Sequence, residues 1–441
     1  GKLGERAGSV LGVPENFAIA LQWTALQPTF TFQSLWKLNK AQNFDEFRAA
    51  LRDFAAPSQN IVYADVDGNI GYQVPGLMPI RAKGHGEMPM PGWTDEYGWT
   101  GFVPFDELPY SYNPPQGYIV TANQAVVGPD YPYFLGDDWD IGYRAARIND
   151  LLGARDKHNL DSVAAIQGDN YNAGAALMLP YLSALSFPAA DQADAARRLA
   201  EWDLQDHMDS NAAAIFNAFW LALQRDTLAD DLPYRLYPTG GAEWFYIFDG
   251  LLQKPQSAWW DDVTTPAVET RDDILQRALA DGLALLQENF GKNMDKWTWG
   301  DAHGAAFRNQ SLGESGVAPI ESLFNRGPFR ASGGPSIVNA TGWSWKNGFT
   351  DSAEKDKSDH PTTFDAEKAF ELSSLPSMRM EVDFSNLDNS RTMHTTGQSG
   401  HAYHKHYIDM ADPWRKIEYH PMLFSRAAVE AGAAEKLTLN P

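Results

Sequence analysis

Two side chains that can bind an anion, the amide of Asn123 and the guanidinium of Arg144, stand at the two edges of one irregular segment. β-Branched and aromatic residues at 118–121 predict a strand that ends at Asn123. Apolar residues at helical spacing predict a helix over 143–152 that carries Arg144 near its start. The two rims of one loop thus carry an amide and a guanidinium that could bind an anion.

The composition favours a large folded body and excludes several classes of protein. The 441 residues are 44% hydrophobic and 12% aromatic, which is enough to bury a sizeable core. A net charge of −22 disfavours nucleic acid and anionic membranes as partners, because phosphate groups are bound by basic surfaces. The absence of cysteine excludes disulfides, thiolate metal sites and a cysteine nucleophile. No apolar run approaches the length needed to span a membrane.

Periodicity divides the chain into helical and strand-rich stretches. Apolar spacing from Leu35 to Phe54 predicts two helices, the second with Asn43 in its N-cap region. The pattern over 159–230, with Asp161 as an N-cap, and again over 270–289 predicts a mostly helical insertion. Strands are predicted at 16–27, 338–345, 377–384 and 390–397, and a last helix at 424–434.

Two strands within residues 58–72 are predicted to form a hairpin whose turn is Asp65-Val66-Asp67-Gly68. Asp67 and Gly68 are expected to supply the positive φ angles of this turn. Both aspartates are expected to be structural, since a calcium site would need further ligands.

The histidines of the chain match no zinc-binding pattern. Four of them are close in sequence but lack the spacing and the helical Glu partner of known sites, so they are predicted to be loop residues: His394, His401, His404 and His406. His303 is predicted to be a packed, hydrogen-bonded histidine. The sequence therefore predicts no metal site from its own pattern.

A series of motifs resembles the penicillin acylase family of N-terminal-nucleophile hydrolases. Three of them surround the candidate site: GYIVTANQ at 117–124, DYPYFLG at 130–136 and YRAARI at 143–148. The others keep the family's order along nearly the whole chain: ADVDGNIGY at 64–72, PMPGW at 89–93, WTGFVPFDELP at 99–109, QGD at 167–169, WGDAH at 299–303, NRGPF at 325–329, GQSG at 397–400 and HPMLFSR at 420–426.

The resemblance implies an α+β fold, part of the αββα sandwich of N-terminal-nucleophile hydrolases with a large helical insertion and extra strands. Residues 1–158 and 297–441 would then form the core sheet and loops of the large subunit, and 159–296 the helical insertion. The opening GKLGERAGSV has neither Met nor an apolar signal region, which predicts a fragment or a processed piece.

The activity implied is that of an amidohydrolase acting on linear amides other than peptides. It would cleave an acyl group from an amine, as in a β-lactam side chain, through an acyl-enzyme on an N-terminal Ser whose own amine is the base. That Ser is expected upstream of Gly1, so this chain alone is expected to be inactive. The alternative is a non-catalytic relative that binds small amphipathic ligands.

The resemblance also implies the surroundings of such an enzyme. Its expected partners are the small subunit and the N-terminal part of the large subunit of one precursor, together with a small N-acyl substrate. No cofactor is required for the chemistry, although the family allows a structural calcium ion. A periplasmic or secreted location is expected.

The resemblance implies three site residues. Asn123 would be the side-chain oxyanion donor, against the alternative of a strand-end backbone cap. Arg144 would lie near the nucleophile's amine and the scissile amide, against the alternative of a solvated charge or salt-bridge partner. Gln59 would line the acyl pocket, against the alternative of a solvent-facing residue. Gln124 stands where many relatives carry a second Asn, which affects only a neighbouring loop contact.

Overall fold

The structure is a computed structural model, and it describes residues 17–349 and 364–439. The chain separates into two compact units, Gly1–Asp140 and Ile141–Pro441, each with its own internal contacts.

The described part of the first unit, residues 17–140, contains two short α-helices and five short strands. Its helices are α1 (Thr31–Leu38) and α2 (Phe44–Leu51). Its strands are β1 (Ile61–Ala64), β2 (Ile70–Gln73), β3 (Pro79–Arg81), β4 (Trp99–Phe102) and β5 (Tyr110–Tyr112). These five strands pair with one another in antiparallel fashion: β1, β2 and β5 form one sheet in that order, and β3 pairs with β4.

A small aromatic core holds α2 to the first sheet. The predicted cap is confirmed, since the Asn43 side chain accepts a hydrogen bond from the Glu46 N–H at 2.9 Å. Phe44 packs against Phe47 and lies so close to Gly71 of β2 that a Cβ there would be 2.3 Å from the ring. Gly71 therefore allows the helix to approach the sheet.

The predicted hairpin is confirmed, with one correction to its turn. β1 pairs with β2 from Ile61↔Gln73 to Ala64↔Ile70, and Gly68 has a φ of 85°. Asp67 does not share the positive φ that was predicted for it. The Asp65 carboxylate accepts hydrogen bonds from the N–H groups of Asp67 and Asn69, so the turn is closed by this side chain and needs left-handed backbone only at Gly68.

Two predicted strands of the first unit are wrong. Residues 17–23 form no strand, and Thr24–Leu26 form a 3₁₀ turn; residue 16 lies outside the described residues. Residues 118–121, which precede Asn123, have no regular secondary structure. β-Branched and aromatic composition favours extended backbone, but a strand also needs a hydrogen-bonded neighbour, and neither segment has one within the residues that the structure describes.

The second unit is built mainly from helices. The longer ones are α3 (Tyr143–Gly153), α4 (Leu160–Gln167), α5 (Ala173–Ser183), α6 (Ala190–Ala200), α7 (Asn211–Leu228), α8 (Ala242–Leu252) and α9 (Arg271–Phe290). Shorter helices follow: α10 (Trp299–Ala302), α11 (Ala318–Phe324), α12 (Ala366–Phe370), α13 (Ala411–Arg415) and α14 (Arg426–Gly432). The strands are β6 (Gly304–Phe307), β7 (Arg326–Arg330), β8 (Met378–Glu381), β9 (Arg391–His394) and β10 (His420–Pro421).

These strands form two small antiparallel sheets, one of β6 and β7 and one in the order β10-β9-β8. Together with the sheets of the first unit they give the predicted α+β class. The predicted strands at 377–384 and 390–397 are confirmed as β8 and β9, and the last helix is confirmed as α14. The predicted strand at 338–345 is wrong, since it makes only an isolated bridge, Gly342↔Ser374, before a 3₁₀ turn at Trp345–Gly348.

Helix α7 is the centre of the main core. Its residues from Ala212 to Gln224 are all buried, and α9 packs along it where Gly282 comes close to the backbone of Ala218. The N-cap of α9 is Thr270, in a capping box with Asp273, at the start of the predicted helix. Helices α4 to α9 fall within residues 159–296, and the limits of a separate helical domain stay a prediction.

The predicted N-cap Asp161 is wrong by two residues. The Asn159 side chain accepts from the Ser162 N–H at 2.9 Å, and Asp161 lies in the first turn of α4. Both residue types suit helix starts, since Asn caps the N–H groups and Asp complements the helix dipole. Within the described residues, no helix combines the length and the apolar character that crossing a membrane would take.

Candidate active site

Asn123 lies on an exposed loop with its backbone in the left-handed region. Its φ is 67°, a conformation that Asn tolerates better than most residues. Asn123 is exposed, whereas the preceding Ala122 is buried. The Asn123 carbonyl accepts a hydrogen bond from the Asp140 N–H at 2.9 Å. The loop therefore leaves the amide-bearing residue on the surface of the first unit.

The side chain of Gln124 bonds to the backbone before Asn123. Its Oε1 accepts from the Ala122 N–H at 2.7 Å, and its Nε2 donates to the Val120 carbonyl at 3.0 Å. Gln124 also forms a parallel bridge with Asp140. The residue that departs from the family's second Asn thus takes part in closing the loop around Asn123.

Arg144 lies in the first turn of α3, as predicted. The residue before the helix is Gly142, whose φ of 100° is left-handed and needs a glycine. Arg144 is half-buried. A position in a first turn places a cation near the positive end of the helix dipole, which favours neither the helix nor the cation. Arg144 therefore adds nothing to the stability of α3 through the dipole.

The second arginine of YRAARI, Arg147, forms an ion pair that stabilises the structure. Arg147 donates to both carboxylate oxygens of Asp169, at 2.9 and 2.8 Å, and its guanidinium lies 4.5 Å from the ring centre of Tyr171. The hydrogen bond with Asp169 raises the pKa of Arg147 above its ordinary value. Asp169 is buried, so the pair anchors α3 to the QGD segment.

Arg147 and Asp169 were not singled out from the sequence. Both belong to quoted motifs, YRAARI and QGD, but 22 residues separate them and nothing local indicates their pairing. The contact with Asp169 assigns Arg147 to an ion pair. The role of Arg144 in chemistry stays a prediction from the motif.

Gln59 lies in irregular backbone two residues before β1 and is exposed. Its neighbours on both sides are fixed by hydrogen bonds. Ser58 Oγ donates to the Pro75 carbonyl at 2.7 Å, and Tyr72 Oη donates to Asn60 Oδ1 at 2.5 Å. The segment thus has a defined path, and the role of Gln59 in an acyl pocket stays a prediction.

The structure places the three predicted site residues in different compact units. Gln59 and Asn123 belong to the first unit and Arg144 to the second. Each is exposed or half-buried, which a residue that contacts substrate requires. Their roles in chemistry stay predictions.

The prediction for His303 is confirmed. Its Nδ1 lies 2.8 Å from the Phe370 carbonyl and its Nε2 lies 3.1 Å from Thr341 Oγ1, while its ring stacks on Trp299 at 4.5 Å. Burial lowers the pKa of His303 to about 4, so the ring is neutral at physiological pH. His303 is a packing residue of the second unit.

The prediction that four further histidines are loop residues is only partly confirmed. His401 and His404 lie outside the strands and are exposed, and His406 lies 2.6 Å from the Asp409 carboxylate. His394 is the last residue of β9, so its prediction as a loop residue is wrong. Over residues 17–349 and 364–439, no three His, Asp or Glu side chains come together as metal ligands.

The carboxylates of the hairpin do not fit a calcium site. Asp65 accepts hydrogen bonds from Tyr63 Oη, from Asn69 and from the Asp67 N–H, which occupy both of its oxygens. The bond from Tyr63 is the main reason that the pKa of Asp65 lies below its ordinary value. The hairpin aspartates therefore have a structural role, and the calcium ion that the resemblance allows stays an expectation.

Comparison with known proteins identifies the family. The family model for penicillin amidase matches residues 5–431, and the chain therefore belongs to the penicillin amidase family. An acyl-homoserine lactone acylase QuiP from Pseudomonas aeruginosa is 28% identical over 476 residues, covering 100% of this chain and 53% of that protein. Penicillin acylase 2 proenzyme from Pseudomonas sp. is 30% identical, covering 96% of this chain and 52% of that protein.

The chain spans about half the length of the curated relatives it matches. A solved structure, thermostable penicillin G acylase from Alcaligenes faecalis, superposes with a TM-score of 0.57 at 20% identity. The match covers 93% of this chain and 73% of that one. It shows that the two share a fold, the N-terminal-nucleophile hydrolase fold expected from the motifs.

Proposed function

We propose that this chain is part of an acylase that hydrolyses the amide bond between an acyl group and an amine. The acyl group is transferred to an N-terminal Ser in another part of the same protein and is then released by water. The relatives named above are acylases, which supports the hydrolase class. The proposed chemistry needs no cofactor, since nucleophile, base and oxyanion donors are all protein groups.

The observation that carries this proposal is the placement of Asn123. The residue is exposed, its backbone is left-handed, and it lies in the GYIVTANQ motif through which the chain resembles the family. A side-chain amide on a hydrogen-bonded loop can donate to the oxygen that becomes negative during acyl transfer, which lowers the barrier more than it strengthens substrate binding.

Arg144 is the second residue to which the proposal gives a role. An α-amino group titrates at about 7.7–8.0, so a base of this kind is partly protonated at neutral pH. A guanidinium nearby disfavours the ammonium form through like-charge repulsion, and it stays charged throughout this range. Arg144 would thereby keep the nucleophile's amine neutral.

The proposed substrates are N-acyl compounds, and the proposed partners are the remaining segments of one precursor. Two classes of acyl amide fit the names of the relatives, those of homoserine lactone and those of β-lactam nuclei. Both join an apolar acyl group to an amine on a small ring. Gln59 would contribute a polar group to the acyl pocket.

The test is Asn123→Ala in the complete protein, with the 4-nitroanilides of phenylacetic and decanoic acids as chromogenic substrates. Turnover should fall by about two to three orders of magnitude, the effect of losing one oxyanion donor, while processing and folding persist. Near-normal turnover in a correctly processed variant would remove Asn123 from the mechanism.

The matched control is Asn113→Ala. Asn113 is also left-handed, with a φ of 47°, and lies in the same unit. Its side chain is committed to the hairpin, accepting from the Ile70 N–H at 2.9 Å and donating to Asn69 at 2.8 Å. This variant should lower stability but not turnover per folded molecule. If both variants lost turnover equally, the effect of Asn123→Ala would be a general effect of disturbing this unit.

A further inference from the structure

We propose that Gln124 is a positioning residue, whose side-chain amide fixes the left-handed backbone at Asn123 and thereby aims the Asn123 amide at the reacting oxygen. This inference rests on the proposed function of Asn123. Gln124 acts through Asn123 and touches no reacting atom itself.

The geometry is that of a side chain spanning its own loop. Gln124 uses both ends of its amide on the backbone before Asn123, accepting from Ala122 at 2.7 Å and donating to Val120 at 3.0 Å. Each bond closes a ring that contains the backbone of Asn123, because it joins Gln124 to a residue before Asn123. An amide is suited to this task because it carries a donor and an acceptor on one rigid group.

The backbone conformation at Asn123 is the reason that these two hydrogen bonds are needed. A left-handed conformation is unfavourable for any residue with a Cβ, although less so for Asn. Its cost is comparable with the net contribution of one or two hydrogen bonds, so the two bonds from Gln124 are of the right size to hold it. Without them, right-handed and extended conformations compete, and each would point the Asn123 side chain in another direction.

A further hydrogen bond limits the effect that replacing Gln124 has on the loop. The Asn123 carbonyl accepts from the backbone N–H of Asp140 at 2.9 Å, and no side-chain substitution removes that bond. The side of the loop after Asn123 is therefore still held when Gln124 is replaced. We expect a folded loop in which Asn123 samples several conformations.

The experiment is a double-mutant cycle in the complete protein with N-phenylacetyl-4-nitroaniline as the probe. Gln124→Met keeps the length of the side chain and removes both hydrogen bonds. Its kcat should fall about 10-fold to 100-fold, as for other small misplacements of a catalytic group, while KM changes little. In the Asn123→Ala background the same substitution should lower kcat no further, because the group that it positions is gone.

Gln42→Met is the matched control. Gln42 is an exposed residue of the same unit whose Nε2 also donates to local backbone, the Lys40 carbonyl at 3.1 Å. Its replacement should leave kcat and KM unchanged. Gln124→Leu, which also removes both bonds, serves in the cycle if Gln124→Met is not recovered as folded protein.

The outcomes separate this inference from the function on which it rests. Equal losses of kcat in the wild-type and Asn123→Ala backgrounds would overturn the positioning role and leave Asn123 as the donor. A change confined to KM would assign Gln124 to substrate binding and would also overturn it. If Asn123→Ala itself kept full turnover, the proposed role of Asn123 would be overturned, and the positioning role of Gln124 with it.

Discussion

In the helix pair α7 and α9, packing of apolar side chains fixes each residue, whereas in the loop around Asn123 the chain bonds to its own backbone. Helix α7 is buried along most of its length, and α9 buries the residues that face it. The spacing of the two helices is set by how closely their atoms can approach. The loop is exposed and is held by the side-chain amide of Gln124 and the N–H of Asp140.

Substitutions in these two regions should therefore affect different properties of the protein. A change in the helix pair alters a packed interior, in which lost contacts and cavities reduce the free energy of unfolding. A change in the loop removes few contacts and alters mainly the direction of one amide. We therefore expect stability to report on the helix pair and turnover to report on the loop.

The largest effect on stability is expected from Trp220→Ala in α7. Trp220 is fully buried and its ring contacts Phe248 edge-on at 4.9 Å. Its removal should reduce the free energy of unfolding by about 3–5 kcal/mol. Trp259→Ala, at a site that is 45% exposed, should have a much smaller effect in the same denaturant titration. Equal losses for the two would show that α7 is not the packed centre of this unit.

Gly282→Ala tests the close approach of α9 to α7. A Cβ at Gly282 would lie 2.8 Å from the backbone carbon of Ala218 and the nitrogen of Phe219, so the helices must separate. Thermal denaturation should show a loss of about 1–3 kcal/mol. Gly250→Ala in α8 is the control, since no atom lies within 4 Å of the added Cβ, and helix propensity should make it stabilising. Stabilisation by both substitutions would contradict the close packing.

Asp206 is a carboxyl that lies fully buried near α7, and its titration can be tested. It accepts hydrogen bonds from Asn172 and Asn217, and burial raises its pKa from 3.8 to about 8. A raised pKa means that its contribution to stability is complete below about pH 4 and is lost as the pH rises towards 8, because the unfolded chain ionises first.

Asp206→Asn removes this dependence while keeping the shape of the side chain. Melting temperatures of variant and wild type should agree near pH 4, and the variant should melt at a higher temperature by pH 8. A constant difference between the two across this range would show that the carboxyl titrates normally.

The smallest effect on stability is expected from Asn123→Gly in the loop. Glycine adopts the left-handed backbone without strain, so the free energy of unfolding should change by no more than a few tenths of a kcal/mol. Turnover should nevertheless fall as far as in Asn123→Ala, since both variants lack the amide. If Asn123→Gly retained turnover, backbone conformation would matter at this position and the amide would not.

Local chemistry made several elements predictable from the sequence. The Asn43 cap, the hairpin turn with Gly68 and the start of α9 at Thr270 each depend on residues within a few positions of one another. The packed state of His303 was also predicted. In the cap, the turn and the helix start, the residue types favour one local structure, whereas the partners of His303, Thr341 and Phe370, are distant in sequence.

Elements that depend on distant partners were not predictable in this way. Residues 118–121 have the composition of a strand but lie unpaired in the described part of the chain, because composition does not supply a neighbouring strand. The pairing of Arg147 with Asp169 also joins separate segments. The sequence placed both arginines on one helix, and the contact with Asp169 assigned one of them to structure.

The same division applies to the candidate site. The sequence by itself determined that an amide precedes an irregular loop and that a cation begins the following helix, because motif and periodicity are local properties. Only the tertiary structure decided that Asn123 is left-handed and that Gln124 bonds to the backbone before it. Backbone conformation at one residue depends on the hydrogen bonds its neighbours make, and these form only when the loop is closed.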